Sequence, residues 1–382
     1  MIRRGIWLFF LFLLLPLRAV AGEMPAADAP TRLDGLGAKG YCLIERESGR
    51  VLFAGNENER LPMASTTKIM TALLALENCS LEETVTAGKN AYGVTGTSMY
   101  LQLGESLPME QMLQGLMLRS GNDAAVAIAE HVGGTVEGFA GLMNERAAQL
   151  GLDAHFVTPN GLDAPGHGAS ALAMARLAAY ALGNDDFRRI VGMQSATVPW
   201  EGNEYDRVLT NKNKLLAEYE GATGVKTGYT SKAGRCLVFS AQRDGMELVG
   251  AVLNCYTWFD SAQKLLDEGF AHYEMHTALE AGEEVRELPV TGGARGSVQI
   301  AAEESLRGPI LQHESVEVLY DLPESLRAPV REGQQVGRAR LMLKGSGEPL
   351  GECALVAAQA VEENTFSTAL GRVLRLWNIF AR

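Results

Sequence analysis

Between Ile69 and Leu76 the chain is almost entirely apolar (Ile69, Met70, Ala72, Leu73, Leu74, Leu76), and the segment directly before it reads Ser65-Thr66-Thr67-Lys68. As a helix this stretch has no polar face to offer water, so it must be buried. Its polar residues are confined almost wholly to its first turn. Ser65 and Lys68 lie three apart, so on a helix their side chains share a face. The serine hydroxyl then sits at the helix N-terminus, where backbone N–H groups have no partner within the helix. Those donors and the helix dipole stabilise an anion that develops there. Lys68 acts as a base only when neutral, and burial with a second cation nearby lowers its pKa in that direction. A lone Ser-x-x-Lys is a frequent chance match that ordinarily means a capped helix. A lysine entering an apolar helix argues for more.

Two further motifs follow. Ser120-Gly121-Asn122 falls between helical patterns at Met109 to Leu118 and Ala124 to His131, with Asp123 placed to cap the second. Ser120 can pass a proton between Lys68 and a leaving amine, and the Asn122 amide can orient Lys68 or a substrate carbonyl. Lys226-Thr227-Gly228 lies on a strand pattern from Gly224 to Tyr229. Lys226 supplies positive charge, both for a substrate carboxylate and to keep Lys68 neutral. Thr227 offers a hydroxyl to the same carboxylate, and Gly228 lets the strand backbone approach a ligand. The backbone N–H of Tyr229 can pair with that of Ser65 as an oxyanion hole. Taken singly, the second motif is an ordinary helix–helix turn and the third a strand end. In this order, each on the element its role needs, the three supply the parts for acyl transfer through a serine ester, without a histidine.

The 382 residues favour two domains. The net charge of −12, with no large Lys/Arg block, argues against a nucleic-acid partner. Residues 1–21 read as a secretory signal: Arg3 and Arg4, an apolar run from Ile6 to Leu17, and Ala19-Val20-Ala21 as cleavage site. Residues 22–37 read as a linker. A hairpin (Tyr41 to Ile44, Val51 to Phe53) and strands at Gly224 to Tyr229, Cys236 to Gln242 and Glu247 to Leu253 bracket the helical segments. A helix from Trp258 to Phe270 closes a unit placed at 38–277, an antiparallel sheet carrying a helical insertion. From 278 to 360, short strand patterns (Val285 to Val290, Ser297 to Ile300, Ser315 to Tyr320, Gly337 to Leu343, Cys353 to Ala357) give a small all-β module. Over 361–382, Phe366, Leu370, Val373, Leu374, Trp377 and Phe380 recur at helical spacing among arginines, the pattern of a helix lying on a membrane surface. Five cysteines at wide spacing give neither a disulfide framework nor a CxxC metal pair, though one bridge is open that the sequence does not pair, and six histidines show no HExxH.

This three-motif constellation belongs to penicillin-binding proteins and class A β-lactamases. The segments Pro62 to Thr71, Leu118 to Ala124 and Gly224 to Thr230 resemble those of the low-molecular-mass penicillin-binding proteins that are serine D-alanyl-D-alanine carboxypeptidases. The resemblance covers Tyr41 to Phe270 well and extends more weakly through the β module and the terminal helix. It implies an α+β fold, the serine β-lactamase/transpeptidase type, with a five-stranded antiparallel sheet and a helical subdomain. It also implies the reaction: Ser65 attacks the penultimate carbonyl of a peptidoglycan stem peptide ending in D-Ala-D-Ala, D-Ala leaves, and water hydrolyses the ester. β-Lactams would acylate the same serine. No metal or organic cofactor is implied, and the site would lie at the outer face of the cytoplasmic membrane. One departure stands out. Some members place an arginine near the carboxylate just after the strand that follows the Lys-Thr-Gly strand; here that stretch reads Leu253-Asn254-Cys255-Tyr256-Thr257. Carboxylate recognition would then rest on Lys226 and Thr227.

Other readings separate on the residues. A class A β-lactamase usually carries Ser-Asp-Asn and a loop glutamate that activates water, and neither is evident. A wall-binding protein without catalysis would have lost a motif residue, and none is lost. Endopeptidase action on a cross-link is closest to the favoured reading. A Ser-His-Asp hydrolase would need a nucleophile elbow around Ser65, and His167, in a Gly-rich loop, reads as solvated.

Overall fold

A computed structural model describes residues 31–365 apart from residue 201. The signal-like segment, most of the linker and the tail from 366 onward lie outside the described residues. The hairpin β1 (Ala38–Glu45) and β2 (Val51–Gly55) joins β3 (Ala222–Thr230), β4 (Gly234–Arg243) and β5 (Met246–Cys255). Together they make a five-stranded antiparallel sheet in the order β2-β1-β5-β4-β3. Between β4 and β5 the two turn residues, Asp244 and Gly245, have φ of 48° and 78°. The tightest hairpin turns require that left-handed pair.

Alternation along the strands builds two cores. Cys42, Ile44, Val238, Val249 and Ala251 face the helical subdomain. Leu43, Leu237, Phe239, Leu248 and Val252 face the opposite side, where a long C-terminal helix covers them. The chain from β2 to β3 forms the helical subdomain: α1 (Lys68–Asn78), α2 (Met109–Gln114), α3 (Asn122–Gly133), α4 (Val136–Gln149), α5 (Ala171–Ala181) and α6 (Asp185–Gly192). The covering helix is α7 (Trp258–His272). Helix α1 packs against α3, α4, α5 and α6 at once, which is what its apolar circumference demands. Ile69, Met70 and Leu73 are fully buried there, each worth about 1.5–3 kcal/mol relative to exposure.

The second module is all-β. Val316–Asp321, Gln335–Leu343, Pro349–Ala357, Ser297–Ala302, Glu284–Thr291 and Leu326–Arg327 form one sheet in that order, and Tyr273–Leu279 pairs with Leu306–Leu311 beside it. The last two strands are not evident in the sequence. Tyr273 follows α7 with no turn residue between them, and Gly308-Pro309 interrupts the other run; a strand with one neighbour tolerates a proline. Buried Arg50, beside the first hairpin, donates to both carboxylate oxygens of Glu314 (2.8 and 2.5 Å) and to the Pro309 carbonyl (2.7 Å). This contact ties the β module to the five-stranded sheet.

Candidate active site

Ser65 does not lie in the first α-helical turn. Ala64–Thr67 forms a 3₁₀ turn, and the α-helix proper begins at Lys68. The threonines of the motif make that turn. Thr66 Oγ1 donates to the Met63 carbonyl (2.6 Å) and Thr67 Oγ1 to the Ala64 carbonyl (2.8 Å), the local side-chain-to-backbone bonds that Thr favours at helix starts. Thr71 Oγ1 donates to the Pro159 carbonyl (2.6 Å), anchoring the Thr158–Gly161 loop over the turn.

Two glycines let backbones close around Ser65. A Cβ on Gly228 would lie 2.9 Å from the Ser65 nitrogen, so β3 runs directly against the serine's amide. What Gly228 admits is therefore the chain's own serine turn. A Cβ on Gly161 would lie 1.9 Å from the Ala64 oxygen, and Gly161 has φ +82°. The sequence marks this glycine as part of a loop and nothing more.

Lys68 has 0% of its surface exposed. Its Nζ lies 2.9 Å from Ser65 Oγ, 2.8 Å from Asn122 Oδ1 and 2.6 Å from the Asn160 carbonyl oxygen. Burial holds its pKa well below the ordinary lysine value, and the neighbouring charges of Lys226 and Lys212 push the same way, against Asp123. Lys226 is 1% exposed, and its Nζ donates to the Thr227 carbonyl (2.9 Å). Burial, then Lys212, lowers its pKa to about 7. The charge of Lys212 thus bears on both lysines of the motifs, and that of Lys226 on Lys68. Lys212 and the Asn160 carbonyl were not anticipated. Lys212 sits in no motif, and a backbone carbonyl leaves no trace in residue type.

Ser120 is buried with φ 64°, a left-handed kink that ends the preceding π-helical turn. Its carbonyl accepts from Thr97 Oγ1 (2.6 Å), and Lys68 makes its three bonds elsewhere. Asn122 begins α3. Its Oδ1 accepts from Lys68, and its Nδ2 donates to the Thr95 carbonyl (2.7 Å). The amide thus bridges Lys68 and the loop carrying Thr95. Asp123 does more than cap α3. It receives the backbone N–H groups of Met99 and Leu101 and the Ser98 hydroxyl, pinning the 97–101 loop. Tyr229 follows Gly228 on β3 with its ring exposed.

His167 is buried rather than solvated. Its Nδ1 accepts from the Val157 N–H (2.9 Å), so the proton sits on Nε2, which donates to Thr67 Oγ1 (2.9 Å). Burial lowers its pKa to about 4, and it braces the serine turn as a neutral imidazole. The five cysteines are all free, four of them buried. Cys79 instead meets Glu83 and His131, with ligand-type atoms within 4.8 Å of one another, a grouping that the spacing of these residues does not announce.

The fold and the three motifs define a class, the serine acyl-transfer enzymes that use a Ser-x-x-Lys pair. Residues 26–257 match the family model for D-alanyl-D-alanine carboxypeptidase, and residues 273–363 match that for the C-terminal domain of penicillin-binding protein 5. The chain is 34% identical over 357 residues to D-alanyl-D-alanine carboxypeptidase DacF of Bacillus subtilis (strain 168), covering 90% of each. It is 34% identical over 384 residues to D-alanyl-D-alanine carboxypeptidase DacC of Escherichia coli (strain K12), covering 95% of this chain and 92% of that one. Among solved structures, penicillin-binding protein 5 from Haemophilus influenzae superposes with a TM-score of 0.71 at 31% identity, covering 88% of this chain and 100% of that one. The chain belongs to the D-alanyl-D-alanine carboxypeptidase family of low-molecular-mass penicillin-binding proteins, which are serine-type peptidases.

Proposed function

We propose that this protein removes the terminal D-Ala from peptidoglycan stem peptides through an acyl-enzyme on Ser65, with Lys68 as general base. The observation that carries this reading is the set of partners around Lys68. A neutral amine has two N–H groups and one lone pair. The Asn122 and Asn160 oxygens accept the two N–H groups, which leaves the lone pair for the hydroxyl proton of Ser65 at 2.9 Å. No carboxylate hydrogen-bonds to either residue among the described residues, so the base is the lysine.

In this mechanism Ser65 Oγ attacks the penultimate D-Ala carbonyl while its proton passes to Lys68. The oxyanion is held by the backbone N–H groups of Ser65 and Tyr229. The C–N bond breaks, and the leaving amine takes a proton through Ser120. Asn122 keeps Lys68 aimed throughout. Water then attacks the ester, Lys68 taking its proton, and the acid is released. Lys226 and Thr227 receive the substrate carboxylate, and Gly228 keeps that strand against the serine. β-Lactams acylate the same serine. D-Ala release from a stem pentapeptide tests the reaction: wild type releases it, Ser65→Ala does not, and equal release by both refutes the assignment.

The protein works outside the cytoplasmic membrane, by the signal-like pattern of residues 1–21, and sits on its surface through the amphipathic pattern of residues 366–382, with the β module spacing the site from the lipid. The tail expected from 361 starts later, because Val361 is buried in the β module and Glu363 pairs with Gly293. Deleting residues 366–382 then moves a still-active enzyme from the membrane fraction into solution. Retention of the truncated enzyme on membranes would contradict the anchor.

A further inference from the structure

The site needs a cation for the substrate carboxylate, yet its buried cations are poor ones. Lys226, its pKa lowered to about 7 by burial, carries only part of its charge at neutral pH, and Lys68 is neutral in the proposed mechanism. The end of β5 and the residues just beyond it, Leu253-Asn254-Cys255-Tyr256-Thr257, carry no positive charge. The adjacent strand β4 does. Arg235 on β4 stands directly opposite Tyr229 on β3, and Leu237 stands opposite Thr227. Directly opposed residues of an antiparallel pair share a face, so Arg235 lies on the face of Thr227 and Tyr229. It is the diagonal neighbour of Thr227, about 7–8 Å away and within reach of a long side chain.

Its guanidinium is mounted without being neutralised. It lies 4.8 Å from the centre of the Tyr256 ring and 5.9 Å from that of Trp258, and Nη1 donates to the Tyr256 carbonyl (2.9 Å). Among the described residues no carboxylate pairs with it, whereas Arg46, Arg50, Arg188, Arg207 and Arg307 are all ion-paired. A guanidinium remains charged on burial where an ammonium does not, and its planar fork matches a carboxylate. Arg243 is also stacked on aromatic rings, but it sits eight residues along the same strand, about 27 Å away at 3.4 Å per residue.

We propose that Arg235, seated on Tyr256, binds the terminal carboxylate of the substrate beside the Thr227 hydroxyl. This rests on the acyl-serine reading of the site and names its specificity-determining cation. The test compares a stem pentapeptide bearing a free C-terminal carboxylate with its C-terminal amide. It reads kcat/KM for the active enzyme, and equilibrium affinity in a Ser65→Ala background where no turnover is needed. Arg235→Gln lowers the acid-over-amide preference about 10- to 100-fold in both measurements, the size of a charge-assisted pair. Adding Tyr256→Arg to Arg235→Gln restores at least tenfold of it. Thermal melting shows that each variant is folded. An Arg235→Gln protein that keeps the wild-type preference overturns the proposal, as does an equal loss for acid and amide, which marks a merely structural arginine. An inactive wild type whose Arg235-dependent preference persists in binding would overturn the serine reading and leave this one standing.

Discussion

Gly161→Ala reaches Ser65 through backbone alone. Gly161 has φ +82°, and an added Cβ would sit 1.9 Å from the Ala64 oxygen, 2.4 Å from its carbonyl carbon and 3.0 Å from the Ser65 nitrogen. A left-handed conformation costs an alanine about 1–2 kcal/mol. Relieving the clash requires the 160–161 backbone to retreat by roughly 1 Å or more, towards ordinary contact near 3.5 Å. Overpacking adds about 1–3 kcal/mol, so the sum is about 2–5 kcal/mol, or a fall in melting temperature of about 4–20 °C for a unit of this size. The retreat also carries off the Asn160 carbonyl, which holds Lys68 at 2.6 Å, and a 1 Å misplacement in an active site can cost about 100-fold in rate. Stopped-flow acylation by a fluorescent penicillin and thermal melting measure the two effects separately. Gly141→Ala is the control. Gly141 lies inside α4 with nothing within 4 Å of its would-be Cβ, so alanine there raises stability by about 0.5–1 kcal/mol. A Gly161→Ala protein that melts like wild type and acylates within about threefold of it would refute the claim that this loop sets the geometry of the base.

Two further predictions concern pH. The folded-state pKa of Lys226, about 7, lies below the ordinary 10.5, so between those values the unfolded chain holds more protons and stability rises with pH. Lys226→Met makes that rise shallower, Lys68 contributing the rest, and adds about 2–4 kcal/mol at pH 7 while impairing D-Ala release; urea unfolding from pH 7 to 10 that shows an unaltered slope would contradict it. His167 is held near 4 against an ordinary 6.5, so its contribution is lost as pH falls through that window. His167→Gln flattens the acid limb of the stability curve between pH 6.5 and 4 and costs about 1–2 kcal/mol at pH 7, read by melting across pH; an acid limb as steep as wild type would rule out this role for the imidazole.

Much of this was legible from residue order because a few physical rules leave little choice. A segment apolar on all sides had to become an enclosed helix, and α1 is enclosed by four others. Tyr41 to Ile44 and Cys236 to Gln242, short apolar runs bounded by turns, read as strands and lie in the five-stranded sheet. Arg243-Asp244-Gly245 marked the β4–β5 hairpin. The rest depended on contacts between distant parts of the chain. Ser65 sits in a 3₁₀ turn because Thr66 and Thr67 bond back to Met63 and Ala64, and hydrophobic periodicity does not register such bonds. His167 looks like a loop residue until Thr67, 100 positions away, comes to lie against it. Lys212 matters through charge rather than contact. Arg235 acquires meaning when the register of β3 and β4 sets it opposite Tyr229.

The central claim is that Ser65, activated by a neutral Lys68, forms a covalent ester. Intact-mass spectrometry of the protein after exposure to a penicillin tests it most directly, with wild type, Ser65→Ala and Lys68→Ala treated in parallel. The account predicts one drug-mass adduct on wild type, mapped to the peptide containing Ser65. It predicts none on Ser65→Ala, and adduct formation at least about 100-fold slower on Lys68→Ala, the usual worth of a general base. A folded wild-type protein that gains no adduct, or a Ser65→Ala protein that gains one at the wild-type rate, would contradict it.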